Sequence, residues 1–445
     1  MKVQEQRADY FVIPKTDSAV FKGARLGDVT DSMKNGLYKP ASEYGDDGVP
    51  CLRMYNIDAG QIVWRDIKRM RVSGSELEDY GLVEGDLLVN RVNSRELVGK
   101  TALIPPGMGP SVFESKNIRL RLKTDQALPK FINYQLLAFG RQHFSNNAQQ
   151  VVGMASVSQK QLADFPIVLT SLAQQKRIVA EIEKQFSRLD EAVANLKRVK
   201  ANLKRYKAAV LKAAVEGRLV ETEAESTAFG RQNWKPIGLA IGTLDQGWSP
   251  QCESEPAETD ETWAVMKTTA VQPLRFSDEE NKRLPPTLTP RANLELAAGD
   301  LLITRAGPRS RVGVTCLVKT TRPHLMLCDK AYRLRVKPDV ALPGFLEIVL
   351  NSPDVLYVLD ELKTGISDSG LNLTQKRFKE LLVPLPPLVE QQRVIAEVER
   401  NLSLADEAEA QVNANLQRAN RLRQSILSRA FIGVSASSTI AHTTL

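Results

Sequence analysis

The chain has 445 residues, of which 42% are hydrophobic and 25% are charged, and its formal net charge is +8. No apolar run approaches the roughly 18 residues that a membrane-spanning helix needs, and the opening stretch MKVQEQRADYFVIPK lacks the apolar core of a signal peptide. Four cysteines without a CxxC pair indicate neither a disulfide framework nor a zinc site, so we expect a cytoplasmic protein. The positive charge favours a polyanionic partner, although a basic protein without a nucleic-acid role fits it equally well.

The first part of the chain, residues 1–168, alternates short apolar stretches with glycine and proline. The stretches DLLVN at Asp86, TALIP at Thr101, IRLRL at Ile118 and FPIVL at Phe165 are typical of strands bounded by turns. Before the last of them, PKFINYQLLAFGRQHF predicts a helix that begins at Pro129. We expect a mixed α/β domain here.

A long helix is predicted to follow this domain. Residues 172–217 contain no proline, and Gly217 suits the position just after a helix C-terminus. Apolar side chains recur every three or four residues, which is the pattern of a coiled-coil seam. The predicted seam is Val179, Ile182, Phe186, Leu189, Val193 and Leu196, and it continues at Leu203 and Val210.

The rest of the chain repeats the first part. GDLLVNRVNSRELVGKTALI at Gly85 and GDLLITRAGPRSRVGVTCLV at Gly299 match at ten of twenty positions, with an offset of 214 in the numbering. LAQQKRIVAEIEKQFSRLDEA at Leu172 and LVEQQRVIAEVERNLSLADEA at Leu388 match at ten of 21 positions, with an offset of 216. The repeat predicts a second domain and a second long helix that ends at Gly433. The second seam runs through Ile395, Val398, Leu402 and Ala405, is interrupted at Glu409 and resumes at Val412.

Together the two copies predict an α+β protein with tandem mixed α/β domains. The predicted boundaries are 1–168 for the first domain, 169–220 for its helix, 221–232 for a linker, 233–386 for the second domain, 387–433 for its helix and 434–445 for a flexible tail. Neither helix can bury its apolar stripe alone, so we expect the two to pair as an antiparallel coiled coil with pseudo-twofold symmetry and a domain at either end. The alternative is that each helix packs on its own domain.

Basic and polar loops supply the candidate binding residues. Arginine and asparagine side chains suit paired hydrogen bonds with guanine and adenine edges. The candidates for DNA contact are Lys34, Asn35, Tyr38, Lys39, Arg91, Asn93, Arg95, Trp248, Arg305, Arg309 and Arg311. Arg91 and Arg305 align between the copies, which leaves a structural or a phosphate-facing role open. The helical run KRVKANLKRYK at Lys197 is suited to neutralise phosphates, although solvated helix faces have the same composition.

The two copies agree in their helices and strands and differ in their loops, above all at Val92 to Leu97 against Ala306 to Arg311. One scaffold that reads two different half-sites predicts this pattern. Sequence drift in loops without a function predicts it as well.

Two stretches are similar to catalytic motifs, and we interpret both as structural. SRELVGKT at Ser94 lacks the first glycine of the phosphate-binding loop GxxxxGK[ST], and its copy PRSRVGVT lacks the lysine. PDVLYVLDELK at Pro353 places the two acids of a nuclease-like motif seven residues apart on one predicted helix. His143, His324 and His442 have no neighbour at a metal-binding spacing. We therefore expect no metal site and no catalytic centre.

One segment carries a family resemblance. PLPPLVEQQRVIAEVER at Pro384, preceded by NLTQKRFKELLV, resembles the conserved segment of the specificity (S) subunits of type I restriction-modification systems. SVSQKQLADFPIVLTSLAQQKRIVAEIEK at Ser156 is similar to a degenerate copy, with Thr170 and Ser171 where the second copy has two prolines. GDLLVNR…VGKTALI and the EGRLV that follows the first helix also match, so the resemblance covers nearly the whole chain.

The resemblance implies a non-catalytic subunit that reads a bipartite double-stranded DNA target. Each of two target-recognition domains would read one half-site, while the paired helices would set the gap and hold two methyltransferase (M) subunits. The M subunits would bind S-adenosylmethionine and methylate adenine, restriction (R) subunits would use ATP and Mg, and this chain would bind no cofactor. The alternatives are a coiled-coil scaffold that holds two proteins without reading DNA, and an enzyme that uses the Gly99–Thr101 loop.

Overall fold

The computed structural model describes residues 21–151, 153–220 and 229–432. It divides into two compact units, one formed by residues up to Leu196 together with those from Ala414 on, and the other by Lys197–Asn413. The boundary between the units therefore falls within both long helices. Each unit contains one mixed α/β domain, and these are named the first and the second domain below. The predictions for the N-terminal stretch, most of the linker, Gly433 and the tail with His442 lie outside the described residues.

The first domain consists of short strands with a few short helices. Its strands are β1 (Lys22–Arg25), β2 (Thr30–Asn35), β3 (Tyr44–Leu52), β4 (Ile57–Asp58), β5 (Gln61–Ile62), β6 (Lys68–Met70), β7 (Leu87–Asn90), β8 (Val92–Asn93), β9 (Thr101–Leu103), β10 (Val112–Phe113), β11 (Asn117–Leu122), β12 (Gln149–Val151), β13 (Met154–Ser156) and β14 (Pro166–Leu169). Its helices are α1 (Gly74–Tyr80), α2 (Pro129–Gln135), α3 (Arg141–Asn147) and α4 (Gln159–Ala163), and the long helix α5 (Leu172–Val215) follows. The four strands predicted from sequence are confirmed as β7, β9, β11 and β14. The helix predicted from Pro129 is confirmed as α2 and α3, joined by a π-helical segment at Leu136–Gly140.

Two sheets organise the first domain. An antiparallel sheet in the order β2-β11-β7-β9 contributes Leu87 and Ile118 to a core that also contains Phe131 of α2 and Ile182 of α5. A second sheet, in the order β10-β3-β6, packs around a separate apolar cluster that contains Met70.

The second domain repeats this topology. Its strands are β15 (Lys235–Pro236), β16 (Ile241–Gln246), β17 (Ala264–Met266), β18 (Val271–Gln272), β19 (Arg275–Phe276), β20 (Asn281–Arg283), β21 (Leu301–Thr304), β22 (Ala306–Gly307), β23 (Thr315–Leu317), β24 (Leu325–Met326), β25 (Ala331–Val336), β26 (Leu371–Asn372) and β27 (Leu382–Val383). Its helices are α6 (Pro343–Leu350), α7 (Pro353–Leu362) and α8 (Gln375–Lys379), followed by the long helix α9 (Leu388–Ile432). The main sheet again has the order β16-β25-β21-β23. Leu302 pairs with Arg333 in the register in which Leu88 pairs with Arg119, and both partners keep the offset of 214, so the predicted duplication is confirmed.

The repeated sequence GDLL…R…VG forms part of this shared framework. Asp86 accepts a hydrogen bond from Arg121 at 3.0 Å, and its copy Asp300 accepts one from Arg335 at 2.8 Å. Gly99 has a φ of +82°, which favours glycine, and it is followed by β9. A strand in place of a helix after this glycine excludes the geometry of a phosphate-binding loop, as the sequence predicted.

The long helices pair in an antiparallel arrangement within each unit. In the first unit, Leu189 of α5 packs with Ala419 and Ile426 of α9. In the second unit, Lys200 Nζ lies 2.8 Å from Asn413 Oδ1, and Lys207 Nζ lies 2.5 Å from Asp406 Oδ1. The partner's number falls as the residue number on α5 rises, which confirms the predicted antiparallel coiled coil.

The same helices also pack on the domains. Part of each apolar stripe therefore contacts the other long helix, and part of it contacts a domain. In the first unit, the core contains Val179 and Ile182 from the beginning of α5 and Phe431 from the end of α9. In the second unit, the core contains Val398 from the beginning of α9 and Ala214 from the end of α5. Each domain is therefore held by the beginning of one long helix and the end of the other.

The remaining residues of the predicted seam lie between these two environments. Leu189 and Val193 belong to the contact between the helices, Phe186 is shared with the first domain's core, and Ile395 and Leu402 pack against the second domain's core. Leu196 is half-buried. Within the described ranges, no helix combines the length and the apolar character that a membrane crossing needs.

Candidate nucleic-acid interface

A set of cations occupies equivalent positions on one edge of each domain. They lie at or next to the ends of β3, β6, β7 and β11 in the first domain, and of β17, β20, β21 and β25 in the second. Among the described residues these edge cations are Arg53, Lys68, Arg91 and Lys116 in the first domain and Lys267, Lys282, Arg305 and Lys330 in the second. Each pair is 214 positions apart, so the charge pattern follows the duplicated fold.

In the second domain, the edge cations surround a concavity. Lys267, Lys282 and Lys330 line a cavity of about 460 Å³, together with Cys252 and Cys328. Burial raises the pKa of the Cys328 thiol to about 11, so this thiol is neutral and a poor nucleophile near pH 7. The lining contains three lysines and one carboxylate, that of Asp329, so its net positive charge favours anions.

In the first domain, aromatic rings lie beside the edge cations. The Arg53 guanidinium is 5.6 Å from the centre of the Tyr55 ring, and Lys68 Nζ is 5.8 Å from that of Tyr44. Burial raises the pKa of Tyr44 to about 12, so its hydroxyl remains protonated near neutral pH. Tyr38 and Tyr55 expose 87% and 65% of their surface. Cations beside exposed rings are a typical composition of nucleic-acid-binding surfaces.

One edge cation in each domain has a clear structural role. The backbone N–H of Arg91 donates to the Lys116 carbonyl, and the backbone N–H of Arg305 donates to the Lys330 carbonyl, both at 2.8 Å. The Arg91 guanidinium also donates to the Ser115 carbonyl at 3.3 Å, and Arg305 makes the equivalent bond at 2.7 Å. Each arginine thus holds the loop that carries the neighbouring lysine, Lys116 or Lys330. This role explains why both copies have an arginine at this position.

A buried glutamine joins the beginning of each long helix to its domain. Gln175 is fully buried, accepts a hydrogen bond from the Leu128 N–H at 2.8 Å, and donates to the carbonyls of Gln126 and Thr170 at 2.9 Å. Gln391 is also fully buried and makes the same three kinds of contact at the beginning of α9, with Leu342, Val340 and Pro386. The duplicated glutamine of the proline–glutamine segment thus fixes where each helix leaves its domain.

Comparison with known proteins shows which family the chain resembles. A family model described as the type I restriction modification DNA specificity domain matches residues 21–205. The type I restriction enzyme EcoEI specificity subunit of Escherichia coli is 38% identical over 184 residues, which are 41% of this chain and 31% of that protein. The EcoKI specificity subunit of Escherichia coli strain K12 is 30% identical over 300 residues, which are 65% of this chain and 62% of that protein.

By these matches the chain is similar to the specificity subunits of type I restriction-modification systems. A solved structure from work on complex assembly and conformational transition of the type I R-M system has the same fold, with a TM-score of 0.68 at 18% identity, over 94% of this chain and 99% of that one. The matches to the EcoEI and EcoKI subunits span less than two thirds of the length of either protein.

Several of the contact residues predicted for the first domain are held by other parts of the protein. These contacts join Lys34 to Asp79 at 3.0 Å, Lys39 to Glu76 at 2.7 Å, and the buried Asn93 to Asn90 at 2.8 Å. Asn35, Tyr38 and Arg95 are exposed, although Asn35 accepts a hydrogen bond from Gln159 and Arg95 donates one to the Ser145 carbonyl. Tyr38 is therefore the most open of the predicted residues in this domain.

The contact residues predicted for the second domain are engaged within the subunit. Arg309 forms ion pairs with Asp360 at 2.8 Å and with Asp368 at 3.1 Å. Arg311 donates to the carbonyls of Thr268 and Val271. Trp248 is half-buried below the Arg291 guanidinium, which lies 4.2 Å from its ring. A DNA contact for these residues stays a prediction, since each already has a role in holding the fold.

The basic run of α5 is divided between two environments. Lys200 and Lys207 are turned toward α9 and bind Asn413 and the acids at Asp406 and Glu409. Lys197 and Lys204 are exposed. Part of the run thus holds the helix pair together, and the exposed part keeps the predicted suitability for phosphates.

The sequence did not single out Arg53, Tyr55, Trp64 or the edge lysines. The signal was nevertheless present, because the lysines and arginines coincide when the two copies are aligned at an offset of 214. Loops that differ between the copies supplied most of the predicted residues, whereas phosphate-binding cations are expected where the copies agree.

Proposed function

We propose that this chain is a specificity subunit that binds double-stranded DNA and reads a bipartite target, with one half-site for each domain. The observation that carries the proposal is the set of edge cations, which recur at the same positions in two domains whose surrounding loops differ. Phosphate contacts fix a protein on DNA without regard to sequence, while contacts to base edges distinguish one sequence from another. Shared cations beside divergent loops suit two domains that contact DNA phosphates in the same way and recognise different bases.

In this proposal the chain is a recognition subunit without a catalytic centre or a bound cofactor, and it acts in the cytoplasm. Two M subunits would dock on the helix pair and supply adenine methylation with S-adenosylmethionine, and R subunits would add the steps that need ATP and Mg. The names of the relatives, which are specificity subunits of type I restriction enzymes, support this division of roles.

Selection from randomised DNA duplexes tests the proposal, with the chain co-purified with its M subunits. We expect two short conserved segments separated by an unread gap of constant length. The absence of any enriched bipartite motif would contradict the proposal.

A charge variant tests the role of the edge cations in the same assay. Replacing Lys267, Lys282 and Lys330 by glutamine should weaken binding to all sequences alike and leave the selected motif unchanged. The slope of affinity against salt should fall by about one unit for each phosphate that the variant no longer neutralises. The matched control replaces three exposed lysines of the same domain that lie on β15 and α8, namely Lys235, Lys376 and Lys379. Equal affinities for the two variants would remove the edge cations from the DNA interface.

A further inference from the structure

The two domains share a small hairpin with very different surfaces. In the first domain β4 and β5 pair with Ile57 opposite Ile62, and in the second β18 and β19 pair with Val271 opposite Phe276. The two pairings are related by the offset of 214 that relates the copies, so the hairpins are equivalent in the fold. The flanks of this hairpin, residues 53–56 and 63–66 in the first domain, carry the difference.

The flanks in the first domain are held rigidly. Asn56 is fully buried, and its side-chain amide donates to the carbonyls of Val63 at 3.1 Å and Arg65 at 2.9 Å. The Val63 N–H in turn donates to the Asn56 carbonyl at 2.9 Å. These bonds tie the two flanks together, and they carry Tyr55, in the 3₁₀ turn Met54–Asn56, and Trp64, just after β5.

The rings of this pair are open to solvent. Tyr55 exposes 65% of its surface and Trp64 exposes 54%. Large aromatic side chains at rigid positions lose little conformational entropy on binding, which is why such residues often dominate interfaces. The packing of the domain does not explain these two side chains, because neither ring belongs to one of the domain's apolar clusters.

Cations border the exposed rings. The Arg53 guanidinium lies 5.6 Å from the Tyr55 ring and donates to the Asp66 carbonyl at 3.1 Å, and its Nε has no hydrogen-bond partner among the described residues. The Arg65 side chain is 81% exposed. A ligand that covers the rings is therefore within reach of guanidinium groups, which favours an anionic ligand with flat apolar faces.

The equivalent flanks of the second domain have the opposite character. Thr269 and Asp278 occupy the positions of Tyr55 and Trp64, and Glu279 occupies that of Arg65. The hydroxyl of Thr269 donates to the carboxylate of Glu280 at 2.6 Å, and the Asp278 carboxylate accepts from the Arg322 N–H at 2.7 Å. These flanks carry acids in place of the two exposed rings, so an aromatic contact at this hairpin cannot be common to both domains.

We propose that the aromatic hairpin, defined as residues 53–66, is a specificity-determining DNA contact of the first domain alone. Tyr55 and Trp64 pack on thymine methyl groups in the groove, and Arg53 and Arg65 hold the adjoining phosphates. The inference rests on the DNA-reading function proposed above and adds an asymmetry to it. One half-site is recognised with the help of this hairpin, and the other is recognised without it.

The test compares two double variants at equivalent positions, each in complex with the M subunits. Tyr55→Ala with Trp64→Ala should lower the affinity for the selected target by at least about tenfold, since large aromatic side chains that become buried at an interface contribute much of its binding energy. Selection from randomised duplexes should then give a motif that is relaxed in one half-site, with the other half and the gap unchanged. Thr269→Ala with Asp278→Ala is the matched control and should keep affinity within about twofold and the motif intact.

Two further variants separate the removal of a DNA contact from damage to the fold. Tyr55→Phe with Trp64→Phe keeps an aromatic ring at both positions and should retain most of the affinity. Arg65→Glu changes a largely solvated side chain and should weaken binding without relaxing the motif, because it acts on phosphates.

Several results would overturn the inference. These are unchanged affinity and motif in the alanine variant, or equal relaxation of both half-sites. If the unaltered complex selects no motif, the proposed function itself fails, and that outcome is distinct from the others.

Discussion

At the scale of single residues, the glutamine at the beginning of each long helix links local chemistry to the larger arrangement. The sequence marks Gln175 and Gln391 only as part of a repeated segment. The structure gives the reason for the repeat, because each amide satisfies one buried N–H and two carbonyls where helix and domain meet. Spacing and composition do not reveal such a role, since most of the partners are distant along the chain.

Gln391→Leu should destabilise the protein by about 3 kcal/mol, because it leaves the Leu342 N–H and two carbonyls buried without partners. Chemical denaturation of the purified chain measures the change. Gln417→Leu, at an exposed position of the same helix, is the control and should stay within about 0.5 kcal/mol. Equal stability of the Gln391 variant and the control would show that the amide contacts are dispensable.

A second residue-scale prediction concerns acid. Hydrogen bonds from Arg309 and Lys363 hold the pKa of Asp360 at about 2. A carboxylate whose pKa is lowered by folding stabilises the protein at any pH above its pKa in the unfolded chain, which is about 3.9. This contribution is lost as the pH falls toward its pKa in the folded protein. Asp360 is partly exposed, so solvent screening keeps the effect small.

The melting temperature of Asp360→Asn should therefore lie below that of the unaltered chain near neutral pH. The difference should be constant above about pH 5 and should narrow progressively below about pH 4. Melting curves at a series of pH values give the comparison. A difference that stays constant or grows in acid would contradict the assigned ion pair.

At the scale of elements, the hydrophobic spacing predicted where the long helices lie but not what each part of the stripe contacts. The helices begin at Leu172 and Leu388, within the predicted segments 169–220 and 387–433, and Gly217 has the positive φ of +66° expected just after a helix end. Ile182 and Leu189 are one heptad apart and so occupy the same position in the seam. Ile182 nevertheless lies in a domain core, whereas Leu189 lies between the helices. The spacing indicates that a face is buried, whereas the partner depends on how the chain folds.

The helix pair provides a prediction about the gap between half-sites. Inserting one heptad into each helix at facing positions, after Leu196 in α5 and after Leu416 in α9, lengthens the pair by about 10 Å. At about 3.4 Å per base pair, the unread gap should grow by roughly three base pairs. Selection from randomised duplexes measures the gap, and both half-sites should stay the same. An unchanged gap would show that the helices do not set the spacing.

At the scale of the whole molecule, the duplication was the most informative feature of the sequence. It predicted two domains of one topology, and the shared registers of the main sheets confirm this. The duplication was less informative about the binding surface, because a loop that differs between the copies is not always exposed to solvent. Arg311 lies in a divergent loop and yet holds the base of a hairpin, whereas Lys282 and Lys330 sit on the exposed edge at positions that the copies share.

The whole molecule is expected to read one half-site with each domain. The most direct measurement is the sequencing of methylated adenines in a host that carries the chain with its M subunits, before and after residues 1–168 are exchanged for those of a relative with another target. We expect one half of the methylated motif to change, while the other half and the length of the gap stay the same. A change in both halves, or in neither, would contradict the assignment of one half-site to each domain.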